Sequence, residues 1–325
     1  MGNHFLISVA LRTSLAGLVF LFGGLASAKE LVPLPPQPEG LAWPTAGWET
    51  GGMDAGVAAI VDPMIEKAIA GEKAGPMGET RAVVIIHRGR LVAEAYRDGF
   101  GPDTKQISWS MAKSVTSALA GRAVALGLID NIDAPMPTPF EAGDPRTEIT
   151  WRQWLTMTDG LDYTEIGATS MADNDVIQMM YGPGRFDVLD YIKDELPPLH
   201  EPGTVWNYST AGFHLIGHAL WRIERQARAA AFREGEQFID NNPKHDTNIM
   251  ASWMNDNFFF HIGMDALVEF DSSGTYLGGS LVWASARDFA KFGYLYLRDG
   301  VWDGERLLPE GWVDFSRSHP EGPKE

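Results

Sequence analysis

In the stretch QISWSMAKSVTSALAG, residues 106–121, a serine and a lysine stand three residues apart in a run that is otherwise small and apolar. Met111, Val115, Ala118 and Leu119 recur near helical spacing, so residues 110–128 read as a mostly buried helix with Ser110 at its start. A hydroxyl there lies beside the helix-terminal N–H groups and the positive end of the dipole, where developing negative charge is stabilised. Residues three apart share a face, so Lys113 can reach the Ser110 hydroxyl as a proton acceptor or a fixed charge, provided burial lowers its pKa. Bringing a lysine from about 10.4 to near 7 costs roughly 4 to 5 kcal/mol, and lysine is seldom buried without a purpose. Taken alone, the pair also fits a serine N-cap followed by a snorkelling lysine.

The surrounding chain supplies elements that could hold such a pair. RAVVIIHRGRLVAEAY predicts a β-hairpin turning at His87-Arg88-Gly89-Arg90. Residues 131–203 are loop-rich with short helical patterns (TWRQWLTM, DVIQMMY, FDVLDYIKDEL), and YSTAGFHLIGHALWRIERQARAAAF predicts a longer helix. ALVEFDSSGTYLGGSLVWAS reads as strand or extended chain, and ARDFAKFGYLYLRDG as an amphipathic helix with a glycine stop. There is no internal repeat.

Four segments in order, SMAKS, ITWRQWLTMTDGLDY, EPGTVWNYSTAGFHLIGHAL and GGSLVWASARDFAKFGYLYLRDGVWDGERLLPEGW, resemble the serine β-lactamase-like superfamily. The likeness runs over residues 39–312 and is nearest to the class C β-lactamase and esterase branch, within it the 6-aminohexanoate-dimer hydrolases. It implies an α/β (α+β) fold, an antiparallel sheet flanked by helices with an inserted, mostly helical domain. The sheet domain would comprise residues 56–130 and 265–325, and the helical domain residues 131–264.

By position, the resemblance makes Ser110 the nucleophile, Lys113 its partner and Tyr208 the tyrosine of the Y-x-N element. A phenol beside an ammonium sheds its proton more easily, so Tyr208 and Lys113 together could pass a proton from Ser110 to the leaving group. Thr210 stands where β-lactamases carry asparagine and is expected to meet the substrate there, though with a shorter reach and no amide to hold a substrate carboxamide. Trp109, Tyr163 and Trp206 read as substrate-cleft aromatics or, equally, as core.

The family's third element, a late strand bearing K-T-G, H-x-G or a looser glycine-rich equivalent that supplies half of the oxyanion hole, is expected beyond residue 325. The C-terminal strands of the sheet are therefore expected to be missing from this chain. His261-Ile262-Gly263, Lys291-Phe292-Gly293 and His87-Arg88-Gly89 fit its pattern formally but lie in a turn, a helix and a hairpin tip. His214 and His218, four apart on a helix, suggest no third zinc ligand, so no metal or other cofactor is expected.

The implied reaction is attack of Ser110 on an ester or amide carbonyl of a small molecule, an acyl-enzyme, then hydrolysis. A β-lactamase or D-alanyl-D-alanine peptidase is one alternative, and a catalytically silent truncated remnant or binding protein another. The oligomeric state is not legible.

Composition bounds these readings. The chain has 325 residues, 45% of them hydrophobic, a formal charge of −17 and no cysteine. It reads as globular, without disulfides, thiol catalysis or cysteine-bound metal, and its charge argues against nucleic acid as a partner. Arg12 precedes an apolar run from Leu15 to Leu25 that ends in Ala26-Ser27-Ala28, so residues 1–28 read as a signal peptide for a bacterial periplasmic or secreted protein, with no membrane attachment after cleavage. Residues 29–55 then read as an extended proline-rich segment.

Overall fold

The computed structural model describes residues 31–72, 75–76, 78–231 and 247–318. The expected signal peptide lies outside them. The chain divides into residues 1–32 and a compact unit, Pro33–Glu325. Of the first, only residues 31 and 32 are described, and they carry no regular secondary structure.

The first helix of the second unit is not anticipated from the sequence. This is α1 (Ala55–Ala70), which keeps Pro63 inside it and is capped by the Asp54 carboxylate on the Gly56 N–H. The hairpin follows as β1 (Ala82–His87) and β2 (Arg90–Tyr96), with His87 opposite Arg90. Arg88 and Gly89 both sit at positive φ, as a two-residue turn matching strand twist requires.

Next come β3 (Gln106–Ile107) and α2 (Met111–Ala125). Helix α2 is largely buried: Ala112, Val115, Ala118, Leu119, Ala120 and Ala123 are enclosed in the core of this unit, together with the polar Lys113, Thr116 and Arg122. Residues 131–264 fold, among the described residues, as helices joined by loops and isolated bridges. They are α3 (Trp151–Leu155), α4 (Asp175–Met180), α5 (Val188–Glu195), α6 (Thr210–Ala231) and α7 (Thr247–Met254), the last running into a π turn at Asn255–Phe259. Helix α3 begins with a reciprocal cap between Thr150 and Gln153. Helix α6 packs across α2, α3, α5 and α7.

The late stretch read as extended contains β4 (Leu267–Val268) and β5 (Val282–Ala284), short strands separated by a long excursion. They join β3 in a sheet of order β3-β5-β4, antiparallel throughout. Helix α8 (Ala286–Leu297), capped by Ser285 on Asp288, lies against β1. A small hairpin, β6 (Val301–Trp302) and β7 (Glu305–Arg306), and α9 (Trp312–Ser316) complete the described chain. None of its helices is long and apolar enough to cross a membrane.

The proline-rich segment is strapped along these late elements. Arg298 donates to the carbonyls of Pro35 (2.6 Å) and Pro36 (2.8 Å), Trp302 donates to Thr45 Oγ1 (2.8 Å), and Trp43 packs on Tyr294 and Trp302. Gly263, at φ +63, passes so close beneath the strap that a β-carbon there would lie 1.9 Å from the Thr45 carbonyl oxygen. Gly263→Ala is expected to cost about 3 kcal/mol, from overpacking together with an unfavourable left-handed backbone. Urea unfolding monitored by tryptophan fluorescence checks this, and an unchanged midpoint would refute it.

Candidate active site

The route from β3 to α2 sets the serine. Ser108 extends the β3–β5 pairing: its N–H donates to Val282 O at 2.8 Å, and its hydroxyl both receives the Val282 N–H (3.0 Å) and donates to Ser280 O (3.2 Å). Trp109 then turns the chain through φ +45, a left-handed conformation that costs a non-glycine residue of order 1–3 kcal/mol. Ser110 follows as the N-cap of α2, exposed, with no capping bond from its hydroxyl. The serine is therefore not an ordinary cap.

Lys113 does not snorkel. It is 5% exposed, and its Nζ lies 3.3 Å from Ser110 Oγ, 2.8 Å from Thr210 Oγ1 and 2.8 Å from the carbonyl oxygen of Gly279. Burial lowers its pKa to about 8, against a smaller upward pull from the Glu165 carboxylate. The close approach of residue 279 needs glycine, since a β-carbon would fall 2.7 Å from both Cγ2 and the carbonyl oxygen of Thr210. His214 holds the same segment from behind, its Nδ1 accepting the Gly279 N–H at 3.3 Å. Full burial and then the Lys113 charge push His214 down to about 3, so it is neutral, with its proton on Nε2 facing the Met180 sulfur at 3.2 Å. His218 instead stacks on Trp221.

Tyr208 presents its ring face to Lys113, with Nζ 4.7 Å from the centroid. Burial raises its pKa, the neighbouring Ser110 hydroxyl pulls it down, and Glu165 raises it further. The expectation that lysine would ease the phenol's proton is thus not met: the ammonium meets the ring rather than the oxygen, and burial wins. Lys113 is the better proton acceptor of the two.

Thr210, expected at the substrate site, and Tyr163, read equally as cleft or core, both lie inside the protein. Tyr163 and Thr210 are 3% and 1% exposed, and both hydroxyls donate to Glu165, from Tyr163 to Oε2 (3.0 Å) and from Thr210 to Oε1 (3.1 Å). They stand behind the site and support it. Trp109 is exposed beside the serine, and Trp206 tilts against Tyr208 at the edge of a cleft of about 470 Å³ that Lys113, Met157 and Phe213 also line. Of the decoys, His261 pairs with Glu305, Lys291 with Asp288, and His87 stays at the hairpin tip.

Glu165 was missed in the sequence. Besides the two hydroxyls it accepts the Thr210 N–H at 3.1 Å, and its own carbonyl receives the Asn174 side-chain amide. Its only sequence signal is its place two residues after Tyr163, in a polar loop. The Gly279 carbonyl, being backbone, has none.

A family model described as Beta-lactamase matches residues 78–322. The chain belongs to the beta-lactamase family. Among curated proteins it is 25% identical, over 240 residues, to a 6-aminohexanoate-dimer hydrolase of Paenarthrobacter ureafaciens, an alignment covering 72% of this chain and 56% of the relative. Among solved structures it is similar to a Bacillus anthracis protein assigned as a 6-aminohexanoate-dimer hydrolase (TM-score 0.55, 22% identity, 72% of this chain and 58% of that one). A penicillin-binding protein homologue from Caulobacter crescentus is also similar (TM-score 0.52, 14% identity, 82% and 76%). The chain spans little more than half the length of the first two. Its fold is the α/β fold of β-lactamases and transpeptidases, and in this beta-lactamase family member the Ser110–Lys113 pair lies at the junction of sheet and helix α2.

Proposed function

We propose that the protein is an exported serine hydrolase that cleaves an ester or linear amide of a small molecule through an acyl-enzyme on Ser110, as a relative of the 6-aminohexanoate-dimer hydrolases. The observation that carries this reading is the buried Lys113 amine, 3.3 Å from Ser110 Oγ and lowered to about 8. A neutral amine so placed takes the serine proton as Oγ attacks the carbonyl, and the ammonium gives it back to the departing alcohol or amine, beside the Tyr208 phenol that hydrogen-bonds Ser110. Water then opens the acyl-enzyme by the same path in reverse. The Ser110 N–H, without an acceptor among the described residues, is available to the developing oxyanion.

A linear substrate is favoured over a β-lactam by Thr210. Its hydroxyl is taken up between Lys113 and Glu165, and it offers no amide to a substrate carboxamide. Export is supported by Arg12, the apolar run after it and the Ala26-Ser27-Ala28 ending.

Short-chain p-nitrophenyl esters, linear amide dimers and a chromogenic cephalosporin, assayed side by side, test the assignment. Ester or linear amide turnover is expected to exceed cephalosporin turnover by at least about tenfold in kcat/KM, a difference that one lost substrate-amide contact would account for. Cephalosporin turnover above both would move the assignment to a β-lactamase.

A further inference from the structure

We propose that Glu165 is a positioning residue of this site: through the Thr210 hydroxyl it fixes the direction in which Lys113 donates, leaving the amine lone pair to Ser110. The inference rests on the reading of Ser110 and Lys113 as nucleophile and proton acceptor.

The argument is a count of hydrogens. Every group aimed at the Glu165 carboxylate is a donor: the Tyr163 hydroxyl and the Thr210 N–H on Oε2, the Thr210 hydroxyl on Oε1. A hydroxyl has one hydrogen. With that hydrogen committed to Glu165, Thr210 Oγ1 can only accept from Lys113 Nζ, 2.8 Å away. The Gly279 carbonyl, also 2.8 Å away, can only accept as well. A neutral amine has two hydrogens and one lone pair, so both hydrogens are used, and the lone pair falls in the one remaining polar direction, toward Ser110 Oγ at 3.3 Å.

Without the carboxylate the Thr210 hydrogen can rotate onto Nζ. The lone pair would then be occupied by a proton that does no chemistry. The groups facing Lys113 are Glu165, the Tyr208 ring and the neutral His214, so Glu165 is also the one anion that opposes burial there among the described residues.

Glu165→Gln keeps the size and removes the charge and the acceptor-only character. The second-order rate of labelling by a fluorophosphonate, followed from pH 5 to 10, reads the reactivity of Ser110 without any knowledge of the natural substrate. In Glu165→Gln the rise of rate with pH is expected to move down by about one unit, because the charge favouring the protonated amine is gone. The plateau is expected to fall about tenfold because the lone pair is misdirected. Thr210→Val should lower the plateau to a similar degree, the double variant should be no worse than either single one, and Thr210→Ser should recover most of the loss.

A merely structural Glu165 would reduce the yield of folded protein and leave the pH of the rise in place. An unmoved rise with a plateau within about twofold of wild type would overturn the proposal, as would additive losses in the double variant. Should Glu165→Gln not fold, the contrast between Thr210→Val and Thr210→Ser decides, equal rates overturning it. Labelling that persists in Ser110→Ala would instead overturn the underlying reading of the nucleophile. Normal Ser110 labelling with indifferent Glu165 and Thr210 variants would overturn only this inference.

Discussion

Alanine at position 110 is expected to abolish labelling by a fluorophosphonate and to lower ester turnover by about 10⁴- to 10⁶-fold, the range seen when a nucleophilic serine is removed. Neither neighbouring serine can stand in for it. Ser108 is buried with its hydroxyl bonded into the 280–282 segment, and Ser114 lies further along α2, outside the bonds that Lys113 makes. The fold should not suffer, because the Ser110 hydroxyl caps nothing and the residue is exposed. Stability within about 0.5 kcal/mol of wild type is therefore expected, which separates a chemical loss from a structural one. Mass spectrometry of the labelled peptide makes the check, and a label that survives in the alanine variant would refute the assignment.

Lys113→Met is expected to lower turnover by about 10²- to 10⁴-fold and to remove its pH dependence near neutrality. The sign follows from the cause. Burial favours the uncharged amine and brings Lys113 to about 8, so below that pH the group is protonated and cannot take the Ser110 proton. Wild-type activity should thus climb as pH rises through about 8, and in the methionine variant that climb should vanish. Methionine also replaces a buried cation with an apolar chain of similar length, so stability need not fall. Against it stand the Thr210 hydroxyl and the Gly279 carbonyl, which lose their donor. A pH–rate profile on a p-nitrophenyl ester is the measurement, and a variant that keeps a climb centred near 8 would point to another base.

Much of the site was legible because its chemistry is written at short range. Three-residue spacing on a helix places Lys113 over Ser110 whatever the rest of the chain does, and an apolar run of small residues marks α2 as buried. The hairpin was legible for the same reason, since Arg88-Gly89 between two apolar runs leaves little choice of turn. The resemblance then brought in Tyr208 from far along the chain.

What could not be read depends on where hydroxyls and carbonyls point after packing. In a string of letters Thr210 looks like a substrate contact and Tyr163 like cleft or core alike, yet both turn inward with their hydroxyls on Glu165. Glu165 itself, a common residue in a polar loop, acquires its role only through Thr210, 45 positions later. Helix α1 hides behind Pro63, which a periodicity argument takes as a breaker and which the helix nevertheless contains.

The bond from Lys113 to the Gly279 carbonyl spans 166 residues of chain, and on the proposed mechanism this separation sets when Ser110 is expected to become reactive. A ribosome adding about 5–20 residues per second needs roughly 8 to 33 s to travel from the lysine to the glycine. During that interval a nascent chain carries Ser110 with its amine short of the Gly279 anchor, even once Thr210 has been made, and with its β3 strand unpaired, because β5 has not been made. On the proposed mechanism Ser110 is thus expected to behave as an ordinary alcohol until β5 has paired with β3 and the Gly279 carbonyl has reached Lys113, so that reactivity follows folding and not synthesis of the serine itself.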